Sequence, residues 1–146
     1  MKMRNLFSLL SAAILSLFML AASQSTNAQD IRNKSNATIG KIESSGVICD
    51  KSGRQVGKIE SDGTIRNSSN APIGKLESNG GIRDKSNRQV GKIESDGSIR
   101  NSSNALIGKI QSDGTIRDKN NAQIGSAKGI KKEWVAVALL FFLELK

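Results

Sequence analysis

The chain has 146 residues, a formal charge of +9, one cysteine, and neither histidine nor tyrosine. Those absences remove the commonest general base, the usual ligands of zinc, copper and haem, and any intrachain disulfide. Packing or oligomerisation must hold the fold, and no cofactor or metal site is expected.

Residues 1–28 read as an export signal. Lys2 and Arg4 form a positive start, Leu6 to Ala22 is an apolar run broken only by serines, and Thr26-Asn27-Ala28 offers a small-residue cleavage site. An uncleaved N-terminal anchor is the rival, since the run is long for a signal. No cysteine follows it at a lipobox-like position, which argues against a lipoprotein. Loss of this segment removes Lys2 and Arg4 and leaves 118 residues at +7, beginning at Gln29. That is one domain on length, placed in the periplasm, on the outer surface or outside the cell. The positive surplus favours anionic surfaces weakly. However, Lys and Arg are interleaved with Glu and Asp, a pattern that equally describes a solvated face, and specific nucleic-acid binding is not expected.

From residue 29 to 129 the chain is a repeat. Aligned on one glycine it reads IGKIESSGVICDKSGRQ from 39, VGKIESDGTIRNSSNAP from 56, IGKLESNGGIRDKSNRQ from 73, VGKIESDGSIRNSSNAL from 90 and IGKIQSDGTIRDKNNAQ from 107. These five 17-residue units (39–55, 56–72, 73–89, 90–106, 107–123) contain no insertion. A half-unit, IRNKSNAT at 31–38, precedes them, and IGSAKG at 124–129 begins a sixth that fails. The first half carries the motif's second strand and the last half its first, so the two ends can pair and close a ring. Residues 56–89 and 90–123 match at about three quarters of positions, which points to duplication in pairs of units.

Each unit holds two strand-like pieces, IGKIES and TIRN, between turn formers, while Gly, Ser and Asn recur too densely for helix. A three-residue loop at Ser61-Asp62-Gly63, with Gly63 left-handed, sets Ile59 opposite Ile65 and buries both; a two-residue loop would split them between faces. The second turn, read by pairing Ile65 with Ile73, centres on Ser69 with Asn70 and Pro72 as turn residues. Ile73 and Leu76 stand three apart, an odd spacing that a β-bulge or bend at Gly74 would reconcile. Otherwise the residue packs between units on the other face. The equivalents Gly40, Gly57, Gly91, Gly108 and Gly125 recur in the other units.

Repetition also produces polar ladders: Lys41, Lys58, Lys75, Lys92 and Lys109; Glu43, Glu60, Glu77 and Glu94, ending in Gln111; and Arg32, Arg66, Arg83, Arg100 and Arg117. They read either as surface ion pairing, with Arg beside each Glu, or as a ring of equivalent cations that holds an anionic glycan or polymer multivalently. The possible ligand contacts are the five lysines with Arg66, Arg83, Arg100 and Arg117. Cys49 fills an Arg slot and reads as a drifted position. The Ser-Asp-Gly turns have neither the carboxylates nor the spacing of a calcium loop. Asn33, Asn36, Asn67 and Asn101 head glycosylation sequons but fall where turns want Asn anyway. No catalytic constellation emerges.

The final segment, 130–146, contains WVAVALLFFL, with all the aromatic residues that follow the export signal. As a helix, ten residues span about 15 Å, half a bilayer core, so a transmembrane span is not expected in the mature chain. The repeats supply only three large aliphatics each and no aromatic. The tail therefore reads as the core that a ring of thin hairpins lacks, with an exposed partner-binding strand as the alternative.

The 17-residue IGKIES-x-G-x-IR unit in five copies, behind a signal and before a Trp-containing apolar tail, resembles the five-fold β-flower proteins of the Bacteroidales. That resemblance implies a closed five-fold arrangement of hairpins exported from a Gram-negative cell, and carries no established activity. The expected protein is all-β: five hairpin repeats in a closed pseudo-five-fold ring with the C-terminal segment packed in the centre, an open β-solenoid being the alternative. Its expected role is non-enzymatic: structural, surface or ligand-binding. An envelope glycan or anionic polymer is the candidate partner, a hydrolase the rival, and the oligomeric state stays open.

Overall fold

The computed structural model describes residues 28–145, and the export-signal reading lies outside them. Twelve strands follow one another: β1 (Gln29–Asn33), β2 (Thr38–Ile42), β3 (Val47–Asp50), β4 (Gln55–Ile59), β5 (Thr64–Asn67), β6 (Pro72–Leu76), β7 (Gly81–Asp84), β8 (Gln89–Ile93), β9 (Ser98–Asn101), β10 (Leu106–Ile110), β11 (Thr115–Asp118) and β12 (Gln123–Ser126). A helix, α1, spans Lys132–Phe141. Every strand pairs antiparallel with its sequence neighbours, and β1 pairs with β12, so the sheet is a closed barrel without a solenoid's open ends.

The two half-units meet as their order suggests. Asn33 stands opposite Gly125 and Arg32 opposite Ser126, the register in which Asn67 faces Gly57 and Arg66 faces Lys58 within β4–β5. The five contiguous units are therefore joined by a sixth, composite hairpin whose strands come from the two ends of the chain. Its turn is missing, and there the chain leaves the wall to form α1. Closure in this way leaves no sheet edge to aggregate.

Both turns of a unit use one device. In the first, Glu60 donates to Thr64, Gly63 donates to Glu60, and Ile59 faces Ile65. Gly63 has φ +88°, as the three-residue loop requires. In the second, Asn67 donates to Ala71 and Asn70, at φ +62°, donates to Asn67. Different residues fill the left-handed position for a physical reason. The backbone N–H of Leu76 donates to the Gly63 carbonyl at 2.8 Å, and a Cβ on Gly63 would run into the Leu76 carbonyl oxygen. Only glycine fits a turn stapled to the next hairpin in this way. The second turn is free of that crowding; the unit that has Gly53 there instead of Asn shows nothing within 4 Å of an added Cβ. Asn or Asp opens this loop interchangeably because each offers one Oδ1 to two backbone N–H groups, Asn67 to Ser69 and Ala71, Asp84 to Ser86 and Arg88.

The second register differs by one residue from the pairing of Ile65 with Ile73. Ile65 faces Gly74 and Arg66 faces Pro72, leaving Ile73 as the extra residue of a bulge. The bulge resolves the odd spacing, since Ile73 and Leu76 both pack against the core, each partly buried. Its extra residue lies beside the glycine rather than on it, and this lets the glycine Cα approach the centre.

Inward positions of the wall carry Ile31, Ile42, Ile48, Ile59, Ile65, Ile82, Ile93, Ile99, Ile110 and Ile116, all buried. A barrel of twelve strands is wider than one that side chains alone can fill, and α1 occupies the axis, as expected for the tail. Val135, Ala136, Val137 and Ala138 are wholly inaccessible, which fits a helix apolar on every side. Burial of Val135 and Val137 contributes about 1.5–3 kcal/mol each. No described helix is long and apolar enough to cross a membrane.

Candidate functional site

With isoleucine pointing inward at alternate positions, the residues between them point out, and these are the ladder. Around the barrel from β2 the outward slots read Lys41, Cys49, Lys58, Arg66, Lys75, Arg83, Lys92, Arg100, Lys109, Arg117, Ser126 and Arg32. Lys58 faces Arg66, Lys75 faces Arg83, Lys92 faces Arg100 and Lys109 faces Arg117 directly across their hairpins. The structure thus brings all nine sequence-singled cations onto one belt. Charge outside and isoleucine inside is the reverse of a lipid-spanning barrel.

Like charges opposite one another are destabilising, and the glutamate row offsets this. Arg83 Nε donates to Glu77 Oε1 at 2.8 Å and Arg100 Nε to Glu94 Oε1 at 3.2 Å. Arg66 Nε lies 3.0 Å from Glu60 Oε1 but is not aligned as a hydrogen bond, so that contact is Coulombic. The same arginines reach the other way to donate from Nη1 to the carbonyls of Asn70, Asn87, Asn104 and Asn121, and Arg32 does so to Asn36. Arg66, Arg83, Arg100 and Arg117 therefore each brace one turn of their hairpin against the other. Their guanidinium groups are committed to the fold, which thins the candidate contacts to the lysines. Among the described residues Lys109 pairs with Asp96 at 3.4 Å, while Lys41, Lys58, Lys75 and Lys92 have no carboxylate within ion-pair distance.

The belt is polarised by its two broken positions. In the fifth unit Gln111 replaces the glutamate and accepts from Arg117 Nε at 3.1 Å, so Lys109 and Arg117 lack the carboxylate that the second, third and fourth units carry. In the first unit Cys49 replaces the arginine and faces Lys41, leaving Glu43 without a guanidinium partner. Cys49 is buried, and burial foremost, then the Glu43 and Asp50 carboxylates, pushes its thiol above the usual value. It is a poor nucleophile. The glutamates stand on successive hairpins, and Glu60, Glu77 and Glu94 each lie beside an arginine. Glu60 and Glu77 share the lining of one groove with Asp62, Glu133 and Trp134, while Glu43 lines another. With Arg66 and Arg83 paired to them, both carboxylates of the shared groove are already engaged.

The turn aspartates are conditioned differently. Backbone N–H donors hold their carboxyls below the ordinary value: Arg54 for Asp50, Thr64 for Asp62, Arg88 for Asp84, Ser98 for Asp96 and Thr115 for Asp113. These are structural turns with fixed negative charge. Among the described residues no group of three or more His, Cys, Asp or Glu could hold a metal ion.

At the seam the belt changes character. Ser126 takes the lysine slot, and a polar groove opens between β1, β11 and β12, lined by Asp30, Arg32, Thr115, Gln123 and Lys128 among others. Asp30 and Arg32 are paired there at 2.7 Å. Sequence reading missed this groove because its walls come from opposite ends of the chain; the signal was the loss of lysine at Ser126.

Residues 28–143 match the family model described as "5-fold beta-flower protein". No curated protein and no solved structure matches the chain.

Proposed function

This chain belongs to the 5-fold beta-flower family, and from that premise we propose that it is an exported, non-enzymatic binding module that holds an anionic glycan or polymer of the cell envelope on its lysine belt. The supporting observation is the split between the two cation rows. Arginines are spent on hairpin bracing, while among the described residues Lys41, Lys58, Lys75 and Lys92 stand at equivalent outward positions with no carboxylate at ion-pair distance, Lys75 being coupled to Asp62 at longer range. Repeated weak contacts on one polymer sum to useful avidity. Contacts of this exposed kind are screened by salt.

Retention of the mature protein on a polyuronate matrix at low and at physiological ionic strength tests the reading. Retention should be strong at low salt, fall steeply with salt, and weaken step by step as the five lysines are changed to Gln. Unchanged retention in the five-fold Lys→Gln variant would reject the belt as the contact surface.

A further inference from the structure

The bulge glycines Gly40, Gly57, Gly74, Gly91, Gly108 and Gly125 form a ring of seats around the C-terminal half of the plug. Five are occupied: Leu143 packs over Gly40, Phe142 over Gly57, Phe141 over Gly74, Leu140 over Gly91 and Leu145 over Gly125. At Gly108 an added Cβ would meet only backbone atoms of Arg117 and Asp118. A cavity of about 340 Å³ stands there, between β10, β11, β12 and the plug. It is bordered by Leu139 and Leu140 of the plug and by Gly108 and Ile124 of the wall, and Ala136 and Ile116, 0 % and 1 % exposed, are packed shut behind it. Its walls include Ile107, Ile124 and Leu139, and exposed Glu144 also borders it.

A second observation sets this unit apart. The exposed large hydrophobic residues of the described chain are Leu106 and Ile107, 41 % and 38 % exposed. Ile107 lines the cavity and Leu106 adjoins it. Leu106 fills a slot that is Thr38, Gln55, Pro72, Gln89 or Gln123 elsewhere. The unit with the open seat is thus also the unit with apolar character at the rim.

We propose that the open seat is a binding site for a single hydrocarbon chain, acyl or alkyl, carried by a small molecule. The chemistry is read from the five sister seats, where the same glycine-floored backbone takes Leu or Phe side chains, and the cavity is continuous with that plug–barrel interface. Its volume falls at the small end of ligand pockets, about 300–1,000 Å³. Apolar cavities hold water poorly and take apolar guests. The volume, beside seats that one Leu or Phe side chain fills elsewhere in the ring, favours a chain over a single side chain of a partner protein. A guest chain would lie against Ile124 and Leu139, with Leu106 and Ile107 covering its outer end and its head group outside.

Titration of the mature protein with decanol and with decanoate, followed calorimetrically, tests the proposal; using both probes separates the chain from the head-group charge. Saturable binding of both at one per chain is expected. Leu139→Trp, which fills the cavity, should weaken both by at least about tenfold without lowering the melting temperature, and Leu106→Gln should weaken both by a smaller factor. If Leu139→Trp misfolds, Ile124→Phe, which narrows the cavity from its wall, should produce the same loss. Absence of saturable binding to the wild-type protein, or undiminished binding in a folded cavity-filled variant, overturns the proposal. A concentration-dependent dimer that the filled variant loses, without alkyl binding, would give the cavity to a second copy of the chain and equally overturn it.

Discussion

Gly57→Ala tests whether the bulge glycines are seats for the plug. A Cβ at residue 57 would come against the Phe142 ring, at Cζ and within 2.6 Å of Cε1, and within 2.9 Å of the Arg66 carbonyl oxygen. Overpacking of this kind costs about 1–3 kcal/mol, against which the lower chain entropy of unfolded alanine returns about 0.4–1 kcal/mol, so a net loss of about 1–2 kcal/mol is expected. Phe142 is partly buried, and Phe142→Leu, which removes the far end of the ring, should by itself cost about 1 kcal/mol. If the ring is what the new methyl strikes, the double variant recovers part of the loss. A favourable coupling of about 1 kcal/mol is expected, rather than simple addition of the two single effects. The unrelieved approach to Arg66 keeps the double variant below wild type. Urea unfolding followed by Trp134, the sole tryptophan, gives the three free energies, and unchanged m-values show that the same transition is compared. Each kcal/mol should appear as about 4 °C in melting temperature for a domain of this size. Additivity within about 0.5 kcal/mol would refute the seating of Phe142 on Gly57 and with it the reading of the glycine ring.

Deletion of residues 130–146 should abolish cooperative folding, since α1 fills the barrel axis; a soluble truncated protein with a sharp unfolding transition would contradict this. Gly63→Ala should cost well over 2 kcal/mol, because it combines left-handed strain with collision against the Leu76 carbonyl, whereas Gly53→Asn should be neutral or slightly stabilising; the two melting temperatures compare them. Stability should fall with acid in a defined window. The turn aspartates have folded values below the unfolded 3.8, so their contribution is present above that value and is lost as pH falls through the lower folded ones. Combined Asp62→Asn, Asp96→Asn and Asp113→Asn should flatten that acid limb and lower neutral-pH stability only by the charge-dependent part, since Asn keeps the turn bond, as Asn79 does in accepting from Gly81; an acid midpoint identical to wild type would reject the assignment.

The sequence was legible wherever a rule is local. Gly63 behind Ser61-Asp62 specifies a three-residue turn because only that register puts Ile59 and Ile65 on one face, and the structure pairs them so. The matching half-units announced closure, and the Trp-containing tail announced the missing core. The second register was one residue off because a bulge is a compromise between two strands. The pull that places Gly74 opposite Ile65, with Phe141 above that glycine, comes from a plug residue 67 positions further on. The belt was equally legible as a list of cations. Which of them are spent was not, because the bond from Arg66 to the Asn70 carbonyl depends on the distance between two turns of a folded hairpin.

What the sequence determined alone is the unit: two strands, two left-handed turns, inward isoleucine and outward cation, each set by steric and burial rules acting within 17 residues. The tertiary structure decided how the ends meet, which side chain sits on which glycine, and that the seat at Gly108 stays open. Those are matters of volume inside a closed ring. A single helix with an irregular end cannot meet six equivalent seats equally, so packing had to break a symmetry that the repeats had kept.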